Sequence, residues 1–551
     1  MSGGDGRDDY DLIVVGAGVN GAGIARDAAR RGLRPLLLDK GDTGGGTTSW
    51  STRLIHGGLR YLEHGEVGLV RESLRERERL LHIASHLVEP LPLLLPIYAG
   101  DRRGALLIRA GMVAYDALSF DKSLPRHRML GREETLRRAP GLEPRGLRGA
   151  ALYYDGQITF AERLAVENAV DARDHGAAVC LYSEVEELLV AGGAVVGVAG
   201  RDLLTGEPFA ARAPLVVNVA GAWVDAVLRG VGAPTPLLGG TKGSHLVVGR
   251  FPGAPATALY VEAARDGRPF FIIPWNGQYL IGTTDERYRG DLDRVVASDA
   301  EIAYLLAETN RVVPSAKLTQ ADVLWTYAGV RPLPHQPAGA TGAITRRHVI
   351  HDHARHGGPS GLVSIVGGKL TTYRELAEQT VDAVGRVLGR SLLRSTTGDE
   401  PLPGARRDGG SPLPVSLEPR SADHLRRVYG AAAGAVVARA SSPELLRPFD
   451  PVSGAIGAEI PYAFEREGAR TLADALLRRT MVGLGPEVGV GADLAAAGIA
   501  RQTLGWSAER AAREVGAYRE FITRYRPRSL DVGSTHESEA MAVTLFDQQA
   551  R

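Results

Sequence analysis

Three glycines near the start of this 551-residue chain are spaced to hold a phosphate-bearing ligand. Gly16, Gly18 and Gly21 follow the apolar run 12–15 and open a segment of small residues typical of a helix. A second apolar run then ends at Asp39, where a carboxylate can accept hydrogen bonds from ribose hydroxyls. The glycines permit a tight turn and let the backbone approach a pyrophosphate closely. The N-terminus of the following helix then offers its free N–H groups to the phosphates. The pattern predicts a β–α–β unit that binds a dinucleotide, and it leaves open which one.

Four cationic residues lie in apolar or glycine-rich contexts and not on charged helix faces. They are Arg60, Arg331, Arg346 and Lys369. Guanidinium and ammonium groups that converge on one cavity bind phosphate or carboxylate through charge-assisted hydrogen bonds. The sequence therefore favours an anionic substrate if the fold brings these residues together. A solvated surface position is the alternative for each of them.

Two histidines beside glycines could transfer protons. His56 precedes a pair of glycines, and His245 lies at the start of a predicted strand. An imidazole with an unperturbed pKa of about 6.5 gains and loses a proton near neutral pH. An ordinary structural role is the alternative for both. Thr283 and Asp285 end another predicted strand, where a hydroxyl and a carboxylate most often cap a turn.

Glycine-ended apolar strands recur far apart in the chain, and stretches of antiparallel character separate them. The strands are predicted at 12–15, 215–219 and 362–366. Such strands can assemble into one nucleotide-binding sheet with a second, β-rich domain interleaved. Pro, Gly, Ser and charged residues then indicate a linker, after which the sequence predicts helices over 422–440, 464–481 and 492–525.

Composition limits the classes of function that remain. A net charge of +1 does not suit a dedicated nucleic-acid-binding protein. Neither a membrane-spanning run of roughly 20 apolar residues nor a secretory signal is expected from the sequence. The single cysteine, Cys180, lies in a predicted buried strand, which favours a reducing compartment and excludes an internal disulfide. No metal site is predicted, because the usual spacings of metal ligands do not occur.

Six motifs follow one another between residues 9 and 388. They are Gly16-Ala17-Gly18-Val19-Asn20-Gly21, the run from Leu54 to His64, Lys242-Gly243-Ser244-His245, Ile281-Gly282-Thr283-Thr284-Asp285, Gly329-Val330-Arg331-Pro332-Leu333 and the run from Gly367 to Arg374. Together they resemble the FAD-dependent, quinone-linked glycerol-3-phosphate dehydrogenases. Residues 474–480 are similar to the helical domain of that family. The resemblance implies that the dinucleotide is FAD.

The expected fold is α/β, or α+β overall. A Rossmann-like FAD-binding domain within residues 1–390 (segments near 9–90, 150–225 and 345–390) is interleaved with an antiparallel-β substrate domain (segments near 91–150 and 226–344). A linker over 391–420, a C-terminal all-α domain over 421–527 and a flexible tail over 528–551 complete the expected organisation.

The resemblance also implies which residues hold FAD. The first glycine turn and Asp39 would bind the pyrophosphate and the adenosine ribose, and the later residues would lie along the path to the flavin. The expected cofactor residues are Gly16, Gly18, Asn20, Gly21, Asp39, Thr48, Ser49, Ser51, Gly57, Gly58, Leu59, Ala220, Gly221, Gly368, Lys369, Leu370 and Thr371. Trp50, within the hydroxyl-rich stretch, stands where a smaller residue is commoner in the family.

For the reaction, the resemblance implies oxidation of sn-glycerol 3-phosphate at C2 to dihydroxyacetone phosphate, by hydride transfer to FAD. The expected substrate-binding residues are Arg60, Tyr61, Thr283, Arg346 and Lys369. His245 is favoured as the base or hydrogen-bond partner of the substrate hydroxyl. Arg331, which could polarise the oxygen, and His56 remain alternatives.

The electron acceptor implied by the family is a membrane quinone, with peripheral attachment to the cytoplasmic face of the membrane. The surface over 91–118 mixes apolar residues with arginines and is the candidate for that contact, unless it is buried. A homodimer is expected. The alternatives are a glycerol-3-phosphate oxidase that uses oxygen, an FAD oxidoreductase acting on another anionic hydroxy or amino substrate, and a non-catalytic FAD-binding protein.

Overall fold

The computed structural model describes residues 10–231, 236–336, 344–406 and 412–525. The predicted tail over 528–551 lies outside the described residues. Two large sheets, a smaller one and a C-terminal group of helices make up the fold. The predicted fold class is thereby confirmed, with a Rossmann-like part, an antiparallel β-part and a C-terminal helical part.

A six-stranded sheet carries the N-terminal glycine turn. Its side chains alternate between two buried layers: Leu12 and Val14 face helices, whereas Ile13 and Val15 face a second sheet. Burial on both faces explains why these strands are continuous apolar runs. In spatial order the strands are Val349–Asp352, Leu362–Val366, Val216–Asn218, Leu12–Val15, Pro35–Leu38 and Ala178–Cys180. The first two of these strands pair antiparallel, and every other neighbouring pair is parallel.

Helices cover one face of this sheet, and a smaller sheet covers the other. One face packs on the helices Val19–Arg30, Ala161–Asp174 and Tyr373–Val387. The other face packs on a three-stranded antiparallel sheet formed by Ser183–Ala191, Ala194–Asp202 and Pro208–Arg212.

The apolar run around Cys180 predicts one strand over 177–190, and this prediction is wrong. The backbone turns at Tyr182, where φ is +59°, and the Tyr182 hydroxyl donates a hydrogen bond to Asp474 Oδ1 at 2.6 Å. The segment therefore divides between the two sheets, and Cys180 ends a strand of the parallel one.

A ten-stranded, mostly antiparallel sheet forms the second large layer. Helix Asp299–Val312, which begins with a capping box between Ser298 and Glu301, packs on one of its faces. In spatial order, eight strands of this sheet are Glu286–Arg287, Thr241–Val248, Gln278–Gly282, Pro269–Trp275, Ala258–Glu262, Val88–Tyr98, Leu147–Ile158 and Leu54–Ile55. Val323–Arg331 pairs with Thr241–Val248, and Arg128–Gly131 pairs with Leu147–Ile158.

Four further helices surround these sheets. They are Val67–Ile83, Ala105–Leu118, Arg132–Arg138 and Val224–Val227. Within the predicted linker, the segment 391–406 packs on the nucleotide-binding part. Thr397 Oγ1 donates to Asp27 at 3.2 Å, and the Gly404 amide donates to Glu167 at 3.0 Å.

The C-terminal part is helical, with one small hairpin formed by Pro448–Asp450 and Ala455–Ile456. Its helices are Pro419–Tyr429, Ala433–Val437, Glu459–Glu465, Leu472–Asp474, Ala492–Leu504 and Ala508–Ile522, and a π-helical turn spans Ala475–Arg479. The three long helices predicted for this part are each interrupted. Left-handed glycines account for the breaks, with φ of +53° at Gly430, +72° at Gly468 and +68° at Gly505.

Candidate active site

The first glycine turn is built as its spacing predicts. Gly16 has a φ of +115°, and a Cβ there would lie 2.7 Å from the Val219 carbonyl oxygen. A Cβ at Gly21 would overlap the Gly16 carbonyl oxygen, so the helix sits directly on the turn. A Cβ at Gly18 would meet Thr48 Oγ1 at 3.5 Å. The turn is therefore closed towards the protein at Gly16 and Gly21 and leaves room at Gly18.

Asp39 lies at the edge of this turn, at the end of the second parallel strand. Its carboxylate accepts hydrogen bonds from the amides of Ala17, at 2.6 Å, and Gly41, at 2.8 Å. Burial raises the pKa of Asp39 despite these two amides. The carboxylate is thus fixed at the edge of the glycine turn, and its contact with a ribose stays a prediction.

Residues 42–53, which we call the hydroxyl loop, run from Asp39 towards the ten-stranded sheet. Thr48 Oγ1 accepts from the Val19 amide at 3.0 Å, in the first turn of the N-terminal helix. Ser49 Oγ donates to the Gly44 carbonyl at 2.8 Å, and Ser51 Oγ accepts from the Arg53 amide at 3.3 Å. The three predicted hydroxyl residues therefore shape the loop that leads away from the first turn.

Two later glycine segments, residues 56–59 and 367–372, contact each other. The Gly57 amide donates to the Tyr115 hydroxyl at 2.9 Å, and Tyr115 donates to Asp155 at 2.8 Å. The His56 amide donates to Thr371 Oγ1 at 3.1 Å. Residues 56–59, with Gly58 and Leu59, are thereby joined to the turn 367–372, which contains Gly368, Leu370 and Thr371.

The residues around these turns fit a dinucleotide. A Cβ at Gly221, which follows Ala220, would meet nothing within 4 Å, so this turn borders open space. Gly368, with a φ of +98°, lies against Asn20 in the first helix. Asn20 Oδ1 is buried and has no hydrogen-bond partner among the described residues. A bound nucleotide would fill the open space, accept hydrogen bonds from the backbone amides and donate one to the buried Asn20 Oδ1.

Four predicted cations of the site surround Tyr61. Lys369 Nζ lies 5.0 Å from the centre of its ring. The positive charges of Arg346, Arg60 and Arg331 all act on the Tyr61 hydroxyl, whose pKa is nevertheless raised because burial outweighs them. The structure therefore brings together residues that are up to 309 positions apart, between 60 and 369.

Asp285 orients the arginines of this cation cluster. It pairs with Arg331 at 3.2 Å and with Arg346 at 3.5 Å, and it also contacts Arg268. Burial alone would raise the pKa of Asp285, but the guanidinium groups hold it at about 2. Arg331 also donates to Thr283 Oγ1 at 3.1 Å. The carboxylate keeps the arginines in position without removing the excess positive charge.

Lys369, the fourth cation of the cluster, contacts helix Val67–Ile83. Its ammonium contacts Ser73 Oγ. Burial lowers the pKa of Lys369 to about 8, although the carboxylates of Glu72 and Glu66 act to raise it. At neutral pH the side chain remains charged, and it joins the cation cluster to the glycine turn of Gly368.

His245 lies on the wall of the site, in the strand Thr241–Val248. Its Nε2 is 2.9 Å from Thr52 Oγ1, and its ring stacks on Tyr327 with centroids 4.7 Å apart. Its Nδ1 is buried without a partner among the described residues. Burial, and then the charges of Arg331 and Arg53, lower the pKa of His245 well below its usual range. The imidazole is therefore neutral at pH 7.

His56 is also neutral, because burial lowers its pKa to about 4. It lies near Lys369 and Asp155, whose charges act on it in opposite directions. The two histidines thus flank the site from different elements, and both can accept a proton.

Several residues of the site have no sequence pattern that indicates their role. Thr52, Tyr327 and Ser73 contact predicted residues from other elements, and no local spacing indicates such contacts. Asp285 belongs to a motif for which a turn cap is the favoured interpretation from sequence. Lys242, for which the neighbouring glycines predict a turn, is instead a strand residue paired with Glu301 at 2.8 Å.

The fold and the site define a dinucleotide-binding α/β protein with a cation cluster beside the nucleotide turns. A family model described as FAD dependent oxidoreductase matches residues 11–374. A second, the C-terminal domain of alpha-glycerophosphate oxidase, matches residues 363–511. Among the described residues no group of side chains is arranged to hold a metal ion.

Named relatives narrow this class. A glycerol-3-phosphate dehydrogenase of Synechocystis sp. is 48% identical over 93% of this chain and 96% of its own length. A D-erythritol 1-phosphate dehydrogenase of Brucella abortus is 39% identical over 85% of this chain and 94% of its own. The solved structure of a glycerol-3-phosphate dehydrogenase from Bacillus halodurans, complexed with FAD, is 28% identical, with a TM-score of 0.69 over 98% of this chain and 94% of that one.

The chain belongs to the FAD-dependent oxidoreductase family, within its glycerol-3-phosphate dehydrogenase group. The expected family and the expected cofactor, FAD, are thereby confirmed. The roles assigned to individual site residues remain predictions.

Proposed function

We propose that this protein oxidises sn-glycerol 3-phosphate to dihydroxyacetone phosphate. The observation that supports the proposal most directly is the cluster of Arg60, Arg331, Arg346 and Lys369 around Tyr61. A phosphate ester carries nearly two negative charges at neutral pH, and buried cations bind it more strongly than exposed ones. The cluster would hold the phosphate and place the C2 carbon beside the nucleotide turns.

In this proposal His245 accepts the proton of the C2 hydroxyl. Its low pKa leaves the ring neutral, and Nδ1 is the ring atom that still lacks a partner among the described residues. Thr52 holds Nε2, and the stack on Tyr327 fixes the plane of the ring. Arg331 would stabilise negative charge on the substrate oxygen as the proton leaves. When bound, FAD supplies the acceptor for the two electrons and the hydrogen removed from C2.

A polyol phosphate longer than glycerol phosphate is a second candidate substrate. The observation behind it is the relative named D-erythritol 1-phosphate dehydrogenase, which is 39% identical over 85% of this chain. The cation cluster would bind the phosphate of either substrate. Only the groups that contact the polyol chain would discriminate between them.

Anaerobic reduction of the bound flavin tests the reaction and its substrate. We expect glycerol 3-phosphate to bleach the yellow absorbance of the FAD-loaded protein faster than erythritol 1-phosphate does. Arg331→Ala should slow bleaching at least tenfold, whereas Arg201→Ala, an exposed arginine of the three-stranded sheet, should not. Failure of glycerol 3-phosphate to bleach the wild-type protein would remove the proposal.

For the electron acceptor, we propose a quinone reached at a membrane surface. Leu106 and Phe120 are 83% and 78% exposed on and beside helix Ala105–Leu118, and Leu107 and Val113 extend the apolar face. Exposed arginines flank it, at 102 and 109, which suits anionic lipid. Tyr115, on the buried side of the same helix, contacts Gly57. No helix in the described ranges is long and apolar enough to cross a bilayer.

Sedimentation with anionic vesicles tests this surface. Leu106→Glu combined with Phe120→Glu should reduce the bound fraction several-fold, because it places two charges in the apolar face. Leu393→Glu changes an equally apolar, 67% exposed side chain elsewhere and is the control. Equal binding of all three proteins would contradict the assignment of this surface to the membrane.

Two further measurements address the electron acceptor and the oligomeric state. Stoichiometric release of peroxide without quinone would favour an oxidase, whereas turnover that depends on quinone supports a dehydrogenase. The homodimer expected from the sequence stays a prediction, and light scattering of the purified protein decides it.

A further inference from the structure

The C-terminal helical part contacts both ends of the hydroxyl loop. At the start of the loop, the fully buried Asp42 receives a two-point contact from Arg479, at 2.6 and 2.7 Å, and a further contact from Arg478. Both arginines end the π-helical turn Ala475–Arg479. Burial alone would raise the pKa of Asp42, but the two guanidinium groups lower it.

At the end of the loop, the contact is aromatic. Tyr525 follows the last helix, is 2% exposed and packs on Trp50, with ring centroids 5.9 Å apart. It also packs on Trp325 at 5.4 Å. Trp50 in turn lies 6.0 Å from Tyr327 and is pressed against Gly329, where a Cβ would come within 2.5 Å of Trp50 Cβ.

These contacts lead directly to His245. Tyr327 stacks on the imidazole and donates a hydrogen bond to the Ser51 carbonyl at 2.7 Å. Thr52, the next residue of the loop, holds His245 Nε2. The hydrophobic core is continuous from this wall of the ten-stranded sheet into the C-terminal helices.

We propose that the C-terminal part is a positioning domain: Arg478 and Arg479 at one end, and Tyr525 at the other, hold the hydroxyl loop so that Thr52 and Tyr327 fix the His245 ring. These are positioning residues, since their contacts are with the loop and with Trp325 beside it. The proposal gives the domain a role in the reaction that assembly alone would not require. Its catalytic consequence rests on the proposed function.

Hydrogen exchange of the FAD-loaded protein tests the positioning directly. In Tyr525→Leu, amides of residues 42–53 should exchange at least tenfold faster, because the loop loses its aromatic contact. Tyr525→Phe keeps the ring and should behave as wild type. Trp506→Leu removes a buried ring that packs on Phe464 in the same domain, away from the loop, and is the matched control.

The kinetic test uses the same proteins. Tyr525→Leu should slow anaerobic flavin reduction at saturating glycerol 3-phosphate at least tenfold, with KM within threefold of wild type, because a mobile His245 affects chemistry more than phosphate binding. If Tyr525→Leu does not fold, Arg479→Lys decides. It keeps the charge but loses the two-point contact, and it should also accelerate exchange in residues 42–53.

Unchanged exchange in a folded Tyr525→Leu or Arg479→Lys protein would overturn the proposal, as would the same acceleration in Trp506→Leu. Failure of the proposed function is a separate result. In that case glycerol 3-phosphate does not bleach the wild-type flavin, while the exchange rates still report whether the C-terminal domain holds the loop.

Discussion

The groups around Tyr61 keep, at neutral pH, the charges that suit an anionic substrate, although burial alone would favour their neutral forms. The pKa of Asp285 is held at about 2 and that of Lys369 is lowered to about 8. Between these values Asp285 is a carboxylate and Lys369 is charged, so Arg331 and Arg346 keep their partner while the cluster stays positive. The site can therefore attract a phosphate over the whole neutral range of pH.

The pH dependence of substrate capture tests the role of Lys369. We expect kcat/KM to fall as the pH rises through about 8, because Lys369 then loses its proton and its attraction for phosphate. The phosphate group itself titrates near pH ~6 and stays doubly charged in this range. Steady-state kinetics from about pH 6.5 to about pH 9.5 measure the effect. Lys369→Arg should remove this alkaline fall, and an identical fall in that variant would assign the titration to another group.

Gly243 tests the position of Arg331. A Cβ on Gly243 would overlap the Arg331 guanidinium, which is held there by Thr283 and Asp285. We expect Gly243→Ala to raise KM for glycerol 3-phosphate at least tenfold with FAD content unchanged, because Arg331 must leave its place. Gly249→Ala, just after the same strand and with nothing within 4 Å of the added Cβ, should leave KM unchanged. Equal KM values for both variants would contradict this placement of Arg331.

At the scale of elements, helix Ala105–Leu118 joins an exposed face to the loop that carries His56 and Gly57. Its apolar outer side meets solvent, while Tyr115 on its inner side contacts both Gly57 and Asp155. Arg77 from helix Val67–Ile83 pairs with the same carboxylate at 2.7 Å. Buried hydrogen bonds of this kind help to hold the loop in place.

Removing one hydroxyl tests this connection. We expect Tyr115→Phe to weaken the hold on Gly57 and shift the flavin absorbance spectrum, because the Gly57 amide loses its acceptor at 2.9 Å and keeps only the longer contact to Asp155 Oδ1 at 3.4 Å. The free energy of unfolding should fall by about 1–2 kcal/mol, as for the loss of buried hydrogen bonds, one of which is donated to a carboxylate. Tyr153→Phe, a neighbouring ring 6.0 Å from Tyr115, is the control. Matching spectra for wild type and Tyr115→Phe would show that the loop is held by other contacts.

The elements that could be predicted from sequence are those whose signals are local. The glycine turn at Gly16 and the apolar parallel strands follow from steric demands and burial that neighbouring residues alone determine. The predicted C-terminal helices are too long because a single left-handed glycine, such as Gly468, ends a helix without disturbing its apolar pattern. The π-helical turn at 475–479 has no sequence signature of its own, and its two arginines show their purpose only beside Asp42.

At the scale of the whole molecule, the site depends on contacts between distant segments. Arg60 and Lys369 are expected from sequence to share a cavity, but only the fold shows that Tyr61 lies between them. Thr52 and His245, 193 residues apart, meet because the hydroxyl loop crosses the ten-stranded sheet. No periodicity or spacing encodes such a meeting, since it depends on how separate layers pack.

Asp171 shows how the same principle governs stability. Its carboxylate joins its own helix to helix Val19–Arg30, through Arg26 at 2.6 Å and Arg30 at 2.7 Å, and to the segment 391–406, through Arg406 at 2.6 Å. Burial alone would raise its pKa, but the arginines hold the pKa at about 2, below the usual value of an aspartate. A pKa that is depressed in the folded state stabilises the protein above the unfolded pKa, and this stabilisation is lost as the pH falls.

We therefore expect Asp171→Asn to be less stable than wild type at pH 7, with a difference that shrinks by about 2 kcal/mol between about pH 5 and about pH 2. The asparagine cannot titrate, so its stability should follow pH less steeply over this range. Urea unfolding monitored by circular dichroism at fixed FAD measures both proteins. Asp423→Asn removes an exposed carboxylate that pairs with Arg426 and should cost at most ~1 kcal/mol. A difference between wild type and Asp171→Asn that stays constant with pH would mean that the three arginines stabilise the fold by packing and not by the charge of Asp171.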